Sequence, residues 1–351
     1  MSIHATIFRQ SGLRGRDRGR SWAAPTRAYV WIKSALEWTR HMRLLVVGAG
    51  SVGGYFGGRL AQVGRDVTFL VRPARAQQLR ELGLRILSPH GDLTLHPALV
   101  TAGDIAGPYD LILLSVKAYT LETAIGDFAP AVGPETMILP LLNGMRQLDL
   151  LTERFGSRAV IGGVALIVSE IDEQGRIVQR ADIQRLAYGE LAGGISARIR
   201  LLDAVLQGAG FEAHASPDIT QAMWEKWVQL ASLGALTCLM RGTIGNVVAA
   251  EGGLVLSRTM IAECAAVSSA CGHPPSESFL NWHTELMTQA GSPLASSMYR
   301  DMRKGARVEA EHILGDLLLR AAARRVSTPL LEAALVNLRV YQQSPGTETR
   351  D

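Results

Sequence analysis

The sequence predicts an α/β domain built on a doubly wound parallel sheet, followed by an all-helical domain. Its 351 residues exceed the length of one ordinary domain. Short apolar runs alternate with helix-like segments as far as Pro217, and from there the apolar spacing is helical. We therefore predict a sheet domain over residues 42–216 and a helical domain over residues 217–345, preceded by a disordered extension over residues 1–41.

The first strand leads into a glycine-rich turn. The apolar run 44–47 is followed by the pattern G-x-G-x-x-G and then by a segment that can continue as a helix. The first glycine permits a tight turn, the second lets the backbone approach a pyrophosphate, and the third lets the helix pack on the strand. This order predicts a Rossmann-type, dinucleotide-binding unit. The predicted cofactor-binding residues of the turn are Gly48, Ala49, Gly50, Ser51, Val52 and Gly53.

The end of the second strand selects the dinucleotide. An NAD site usually has an Asp or Glu there, which accepts hydrogen bonds from the ribose hydroxyls. This chain has Arg72 at that point and Arg75 three residues later, with no acid nearby. Guanidinium groups hold a 2′-phosphate by charge-assisted hydrogen bonds, whereas a carboxylate repels it. We therefore predict NADP(H) as the cofactor and Arg72 as the phosphate ligand. Arg75 either supports Arg72 or is a solvated helix charge.

Two further apolar runs predict buried strands of the same sheet. The run 110–116 ends before Lys117, and the run 136–142 ends before Asn143. Ligands of open α/β sheets bind beyond the carboxyl ends of the strands. We therefore expect Lys117 and Asn143 to join the glycine-rich turn and Arg72 at one edge of the sheet.

Local patterns predict the remaining elements. In the first domain they favour a helix at 120–131, strands at 159–168, 175–178 and 184–188, a hairpin turn at 172–175, a helix at 196–207 and a strand at 211–215. In the second domain they favour helices at 219–240, 247–271, 276–290, 297–325 with a break at Gly305, and 329–342.

The positive charge of the chain is concentrated in its first 41 residues. The formal net charge is +4, but residues 1–41 hold eight basic and two acidic residues, so the remainder carries −2. The predicted domains therefore lack the basic balance that is typical of nucleic-acid binding. For residues 1–41 two interpretations stay open: an extension before a functional start at Met42, or an Arg-rich mitochondrial targeting peptide.

Other features exclude further classes of protein. All three cysteines lie in the last third of the chain, which favours reduced thiols and a cytoplasmic location. No apolar run reaches the length of a membrane span. The histidines form no H-x-x-x-H pair and the cysteines no C-x-x-C pair, so we expect no metal site. Broad apolar helix faces are compatible with a homodimer.

Six motifs in order resemble the ketopantoate reductase (2-dehydropantoate 2-reductase) family. Between Met42 and Gln343 the chain contains GAGSVGGYFGG, FLVR, SVKAYT, LLNGM, WEKW, and SSMYRDM with a glutamate eight residues beyond its aspartate. The resemblance implies that NADPH and a small 2-oxoacid bind in a cleft between the two domains. The implied reaction is reduction of the 2-oxoacid to a 2-hydroxyacid. The substrate would be 2-dehydropantoate, which gives pantoate in pantothenate biosynthesis, or a related, more apolar 2-oxoacid.

The resemblance also implies roles for individual residues. Lys226 matches the catalytic lysine and Glu309 the active-site glutamate of the family, and Ser297 matches the serine that binds the substrate carboxylate. Asn143 matches a residue that contacts substrate and cofactor, and Lys117 a cofactor-binding residue of the cleft. An ammonium group at Lys226 would stabilise charge on the keto oxygen and deliver a proton. Glu309 would orient Lys226 or a substrate hydroxyl.

Three positions depart from the family pattern. Asparagines are expected one and two helical turns beyond the catalytic lysine and three residues before the motif serine, but the chain has Leu230, Gly234 and Leu294. Because groups that would bind a hydroxylated substrate are replaced, we expect a substrate more apolar than ketopantoate. The alternative is a non-catalytic NADP(H)-binding sensor or regulatory protein. The presence of both Lys226 and Glu309 argues against that alternative.

Overall fold

The computed structural model describes residues 42–343, which hold ten strands and twelve α-helices. The two interpretations of residues 1–41, and the last two residues of the predicted helical domain, lie outside the described residues. The strands are β1 Arg43–Val47, β2 Asp66–Leu70, β3 Leu84–Leu87, β4 Leu93–Leu95, β5 Ala98–Val100, β6 Tyr109–Leu114, β7 Val132–Pro140, β8 Gly162–Ile171, β9 Ile177–Gly189 and β10 Glu212–Ala215.

The helices alternate with the early strands and then follow them without interruption. They are α1 Gly53–Gln62, α2 Pro73–Leu82, α3 Leu121–Phe128, α4 Arg146–Phe155, α5 Ala197–Leu206, α6 Ile219–Met240, α7 Ile244–Ala249, α8 Gly253–Ala270, α9 Glu277–Met287, α10 Ser297–Arg303, α11 Asp316–Arg324 and α12 Pro329–Gln343. Short 3₁₀ turns cover Ala118–Thr120 and Ala129–Ala131, and a π-helical turn covers Glu311–Gly315. The proposed domain boundary after residue 216 lies between β10 and α6.

The first sheet is parallel throughout and has the strand order β5-β2-β1-β6-β7. Its central strands are mostly apolar because helices cover both faces; residues 44–47 of β1 are at most 3% exposed. The parallel sheet and the helical region that follows confirm the predicted fold class.

The second sheet has the order β10-β9-β3-β4, and β8 pairs antiparallel with β9. The prediction of separate strands at 175–178 and 184–188 is wrong, because β9 is one long strand that pairs with β3 near one end and with β10 near the other. The predicted strand 159–168 is shifted, because pairing with β9 runs from Gly162 to Ile171. The hairpin turn at 172–175 is confirmed, since the N–H of Gly175 donates to the carbonyl of Asp172 at 2.9 Å.

Two predicted helices are interrupted. The predicted helix 247–271 is divided, because the chain turns at Gly252 with φ +79° before α8 begins. A Cβ at Gly253 would lie 1.8 Å from the Val247 carbonyl oxygen, so this turn requires a glycine. The predicted helix 297–325 breaks at Gly305, as expected, but helical structure resumes only at the π-helical turn.

Helix α6 joins the sheets to the helical region. It packs against β8, α8, α10 and α12. Glycines permit its close approach to the second sheet: a Cβ at Gly162 would lie 2.6 Å from Ile219 Cγ2, and one at Gly189 would lie 3.0 Å from Ile219 Cβ. One cluster of buried apolar side chains therefore extends from the first sheet through α6 into the later helices.

Candidate active site

The glycine-rich turn combines close packing with open space. Gly48 has φ +95°, and a Cβ there would lie 2.4 Å from the Ser115 carbonyl oxygen. A Cβ at Gly53 would lie 2.4 Å from the Gly48 carbonyl oxygen. A Cβ at Gly50, in contrast, would meet no atom within 4 Å. Because the first turn of α1 also presents N–H groups without helical partners, the turn fits a dinucleotide pyrophosphate.

The two arginines after β2 have different environments. Arg72 is exposed at the residue that precedes α2. Arg75 is half-buried, and its guanidinium donates to the carbonyl oxygens of Ala49 and Gly175, each at 3.2 Å. Burial, and then the nearby charge of Arg85, lower the pKa of Arg75. The interpretation of Arg75 as a solvated helix charge is therefore wrong.

The expected convergence of strand ends is present. The glycine-rich turn, Arg72, Lys117 and Asn143 follow β1, β2, β6 and β7, which are adjacent parallel strands in the order β2-β1-β6-β7. The carboxyl ends of parallel neighbours lie at one edge of a sheet, so the topology places all four features along the same edge.

Lys117 and the loop after it contact the helical region directly. Its Nζ lies 3.5 Å from Glu309 Oε2 and 3.4 Å from Asp301 Oδ2, and the N–H of Ala118 donates to Glu309 Oε1 at 2.9 Å. Burial acts to lower the pKa of Lys117, but the carboxylates of Glu309 and Asp301 outweigh it, so the pKa is raised. Lys117 therefore stays protonated between two carboxylates.

Lys226 lies on α6, where its Nζ donates to the carbonyl oxygen of Ala165 in β8 at 2.9 Å. Burial lowers the pKa of this ammonium group from 10.5 to about 8. Among residues 42–343 no hydrogen bond joins Lys226 to Glu309. The expected orientation of Lys226 by Glu309 is therefore not seen; the glutamate holds the loop at Lys117 instead.

The two serines at the start of α10 have separate environments. Ser296 is buried, and its Oγ accepts from the N–H of Tyr299 at 2.9 Å and lies 2.8 Å from Thr237 Oγ1. Ser297 is exposed. Ser296 therefore caps the helix, and the hydroxyl of Ser297 is accessible to a ligand.

A π-helical turn, which no sequence pattern predicted, supports the loop that contains Asn143. His312 in this turn is buried and makes a 2.9 Å hydrogen bond with Gln147 Oε1, while Gln147 Nε2 donates to the Gly144 carbonyl oxygen at 2.6 Å. The indole N–H of Trp227, next to Lys226, donates to the Ile313 carbonyl oxygen at 2.9 Å. The turn therefore links the loop after β7 to the part of α6 that holds Lys226.

Two family models match the chain. One, described as ketopantoate reductase PanE/ApbA, matches residues 44–193, and the other, described as ketopantoate reductase PanE/ApbA C terminal, matches residues 218–342. The chain belongs to the ketopantoate reductase family. It is therefore a member of a family of oxidoreductase enzymes.

Individual relatives align over nearly their whole length. A Bacillus subtilis protein described as the uncharacterized oxidoreductase YkpB is 36% identical over 301 residues, covering 86% of this chain and 99% of the relative. A 2-dehydropantoate 2-reductase of Halobacterium salinarum is 28% identical over 307 residues, covering 86% of this chain and 99% of the relative. The crystal structure of 2-dehydropantoate 2-reductase from Methylococcus capsulatus has a TM-score of 0.77 and 29% identity, covering 88% of this chain and 99% of the other.

The fold also occurs in D-mandelate dehydrogenase, whose ternary structure with NADH and anilino(oxo)acetate has a TM-score of 0.77 and 21% identity. That alignment covers 86% of this chain and 98% of the other.

The positions at which this ketopantoate reductase family member departs from the motif pattern are packed with apolar groups. A Cβ at Gly234 would lie 2.7 Å from Met298 Cε, so the Met298 side chain occupies the space beside this glycine. Leu230, one turn closer to Lys226, and Leu294, before α10, are half-buried. Met298 was missed from the sequence, because its contact with α6 depends on how two distant segments pack.

Within residues 42–343 no group of three or more His, Cys, Asp or Glu side chains is arranged to hold a metal ion. None of the helices in that range is long and apolar enough to cross a membrane. Two cavities of about 530 and 410 Å³ are lined by none of the predicted site residues; Leu148, Asp149 and Thr220 line both.

Proposed function

We propose that this protein reduces a 2-oxoacid to a 2-hydroxyacid with NADPH, and that its preferred substrate is more apolar than 2-dehydropantoate. The observation that carries the proposal is the half-buried Lys226, whose ammonium group donates to the Ala165 carbonyl oxygen of β8. Lys226 lies on the face of α6 that leads to Gly234 and α10. A lysine in this position can act on a polarised carbonyl, which fits the chemistry of the family.

Three observations support NADPH binding. The glycine-rich turn before α1 leaves space at Gly50 for a phosphate, the N–H groups at the helix start favour an anion, and Arg72 is exposed where a 2′-phosphate would lie. Bound NADPH supplies a hydride for the keto carbon of the substrate. Lys117 lies at the same sheet edge and would contribute to the cofactor site.

Lys226 would stabilise and protonate the substrate oxygen. Its Nζ has three N–H donors, and the Ala165 carbonyl accepts one of them, which orients the others. As negative charge develops on the keto oxygen, an adjacent ammonium group stabilises it and delivers the proton. A pKa of about 8 makes this proton easier to transfer than that of a solvated lysine while leaving Lys226 mostly charged at neutral pH.

Ser297 and Asn143 would hold the substrate. The exposed Ser297 hydroxyl can donate to the substrate carboxylate, and the Asn143 side chain, at the end of β7, can donate to an oxygen atom of the substrate. Glu309 would keep the loop at Lys117 and Ala118 in place through its two contacts there.

The apolar packing at Gly234 supports a substrate without a hydroxyl group. Met298 fills the space beside Gly234, and a leucine occupies each of the other two departing positions. An apolar pocket gains little from a substrate hydroxyl, because desolvating it without a partner is costly. Family membership favours a second candidate, 2-dehydropantoate itself, with pantothenate biosynthesis as its setting. A cytoplasmic location and a homodimer stay predictions from the sequence.

The test is NADPH oxidation with a panel of 2-oxoacids, run on the full chain and on Lys226→Ala. The panel contains 2-dehydropantoate, 2-oxoacids with branched aliphatic side chains and 2-oxoacids with aromatic side chains. We expect the highest kcat/KM with a branched or aromatic compound and loss of turnover in the variant. The highest kcat/KM with 2-dehydropantoate would contradict the substrate proposal. NADPH binding without turnover of any compound would instead favour the non-catalytic sensor.

A further inference from the structure

The carbonyl groups of the glycine-rich turn are held from outside by two side chains. Arg75 Nη2 donates to the Ala49 carbonyl oxygen at 3.2 Å, and Ser169 Oγ, on β8, donates to the Ser51 carbonyl oxygen at 3.1 Å. The carbonyl oxygens of Gly50 and Val52 accept hydrogen bonds from N–H groups of α1. Gly54 N–H donates to the Gly50 carbonyl oxygen at 2.8 Å, and Phe56 N–H donates to the Val52 carbonyl oxygen at 3.1 Å. Four successive carbonyls of the turn therefore have fixed partners.

These contacts determine where the N–H groups of the turn point. The peptide unit is planar and trans, so its C=O and N–H point in opposite directions. Holding the Ala49 carbonyl therefore orients the N–H of Gly50, and holding the Ser51 carbonyl orients the N–H of Val52. N–H groups directed away from the protein at a helix start form an anion-binding site.

Both Nη atoms of Arg75 are engaged by the protein, whereas its buried Nε has no hydrogen-bond partner among the described residues. Nη1 bonds the Gly175 carbonyl oxygen at 3.2 Å and the side-chain oxygen of Gln78, and Nη2 bonds Ala49. The packing around this guanidinium is tight, because a Cβ at Gly175 would lie 3.1 Å from Arg75 Nη1 and 2.4 Å from Gln78 Nε2. The same hairpin meets α1, since a Cβ at Gly54 would lie 2.5 Å from Ile177 Cδ1. The hairpin after β8, Arg75 and the turn thus form one packed unit.

We infer that Arg75 and Ser169 are positioning residues for the cofactor pyrophosphate, and that Arg72 alone of the two arginines recognises the 2′-phosphate. This inference rests on the proposed function only in taking a nicotinamide dinucleotide as the ligand. Arg75 holds the Ala49 carbonyl against the hairpin at Gly175, so that the turn presents its N–H groups to any dinucleotide, with or without a 2′-phosphate.

Binding measurements on the full chain distinguish positioning from 2′-phosphate recognition. The dissociation constants of NADPH and NADH are measured by calorimetry for the unmodified protein, Arg75→Met and Arg72→Met. We expect Arg75→Met to weaken both dinucleotides by the same factor, about tenfold, which corresponds to about 1.4 kcal/mol, the upper end of what one hydrogen bond contributes. Arg72→Met should weaken NADPH by tenfold or more and leave NADH unchanged. Weaker NADPH binding with unchanged NADH binding in Arg75→Met would overturn the inference.

Two further variants separate turn positioning from general effects. Ser169→Ala removes the second contact and should weaken both dinucleotides in the same ratio. Arg85→Met is the matched control, because Arg85 bonds the Gln174 carbonyl oxygen of the same hairpin at 2.6 Å without contacting the turn; NADH affinity should not change. An Arg85→Met variant that loses as much NADH affinity as Arg75→Met would overturn the inference, as would unchanged affinities in both Arg75→Met and Ser169→Ala.

The proposed function fails in a different way. If the unmodified protein bound neither dinucleotide, both the inference and the proposed function would be rejected. If it bound both dinucleotides but turned over no 2-oxoacid, the proposed reductase activity would be rejected. The NADPH and NADH affinities of the variants, relative to the unmodified protein, would still decide the role of Arg75. Thermal unfolding of each variant shows whether the fold is retained.

Discussion

At the residue scale, burial lowers the pKa of Lys226, the proposed catalytic acid. Its ammonium group has one backbone carbonyl as a partner and no carboxylate in hydrogen-bond contact among the described residues, so desolvation determines the direction of its pKa shift. Lys117, with two carboxylates within 3.5 Å, shifts in the opposite direction. At mildly alkaline pH, Lys226 therefore loses its proton while Lys117 keeps it. This difference suits Lys226 for proton transfer and Lys117 for a permanent positive charge.

The lowered pKa of Lys226 predicts a pH dependence of reduction. The protonated form is the acid, so kcat should decrease as the pH rises above about 8. Lys226→Met should lower kcat by about 10²–10⁴-fold, the usual contribution of general acid catalysis. Lys226→Arg retains a cation that does not titrate below pH 12. The kcat that remains in this variant should therefore not decrease above pH 8. Steady-state rates between pH 6 and 10 provide the measurement.

The control for these rates is Lys304→Met, because Lys304 is an exposed lysine paired with Glu170 at 3.1 Å. Its kcat and pH profile should match those of the unmodified protein. A profile with the same decrease in Lys226→Arg as in the unmodified protein would contradict the assignment of Lys226 as the acid.

A buried histidine predicts how stability depends on pH. His283 on α9 is fully buried, with Nε2 2.7 Å from Ser232 Oγ on α6, and burial lowers its pKa from 6.5 to about 4. The unfolded chain binds a proton near pH 6.5 while the folded protein does not, so this contribution to stability is complete above pH 6.5 and lost as the pH falls to 4. We expect the free energy of unfolding to fall by up to about 3 kcal/mol over that range because of this group.

Urea unfolding at pH 7, 5.5 and 4.5 tests this expectation. In His283→Phe the decrease in stability on acidification should be smaller than in the unmodified protein, because the titrating group is gone. His96→Gln is the control, since His96 is exposed, and it should retain the full decrease. Equal pH dependence in all three proteins would show that His283 does not contribute.

At the scale of elements, α6 and α10 pack closely at Gly234, a position that we propose to face the substrate. Gly234 lies two turns from Lys226 on one face of α6, and Met298 Cε lies beside it. An asparagine at this position would need the space that Met298 occupies. Gly234→Asn alone should therefore lower the free energy of unfolding by about 1–3 kcal/mol through overpacking.

Removing the methionine as well should create a polar pocket. In the double variant Gly234→Asn with Met298→Ala, the new amide side chain has space. We compare kcat/KM for 2-dehydropantoate with kcat/KM for a 2-oxoacid that lacks a hydroxyl group. We expect the ratio of the first to the second to rise about tenfold, which is the effect of one hydrogen bond. Met298→Ala alone is the control and should leave the ratio unchanged. If the ratio also stays unchanged in the double variant, Gly234 does not face the substrate.

The elements that were predicted well are those with long local patterns. Helix α6 was predicted with its observed bounds, and α12 within one residue, because each is a long segment rich in apolar residues. Strands β3, β4 and β5 were missed, since three or four residues give no periodic pattern. The same holds for the candidate site, where residues within local motifs were predicted and residues that act through distant contacts were missed. Motif residues such as Lys226 and Asn143 could be selected from the sequence, whereas His312, Met298 and Ser169 act through contacts with distant segments.

At the scale of the whole molecule, the sheets and the helical region are coupled by polar contacts as well as by α6. Lys117 binds Glu309 and Asp301, and Lys304, just after α10, binds Glu170 of β8 at 3.1 Å. These ion pairs are partly exposed, so each contributes little stability. The shared apolar core contributes more, because it buries side chains of both regions in one cluster. The two regions should therefore unfold together rather than independently.

Cooperative unfolding predicts that a dinucleotide protects the helices as well as the sheet. A ligand at 100 times its dissociation constant stabilises the folded state by about 2.7 kcal/mol. In native-state hydrogen exchange with NADPH, the slowest amides of α6 should therefore gain the same protection as those of β1, although the proposed pyrophosphate site lies in the sheet region. Gly162→Val should separate the two regions, because its side chain would displace Ile219 and so lift α6 from β8. In that variant the gain should be confined to the sheet. A gain confined to the sheet in the unmodified protein would instead show that the two regions unfold independently.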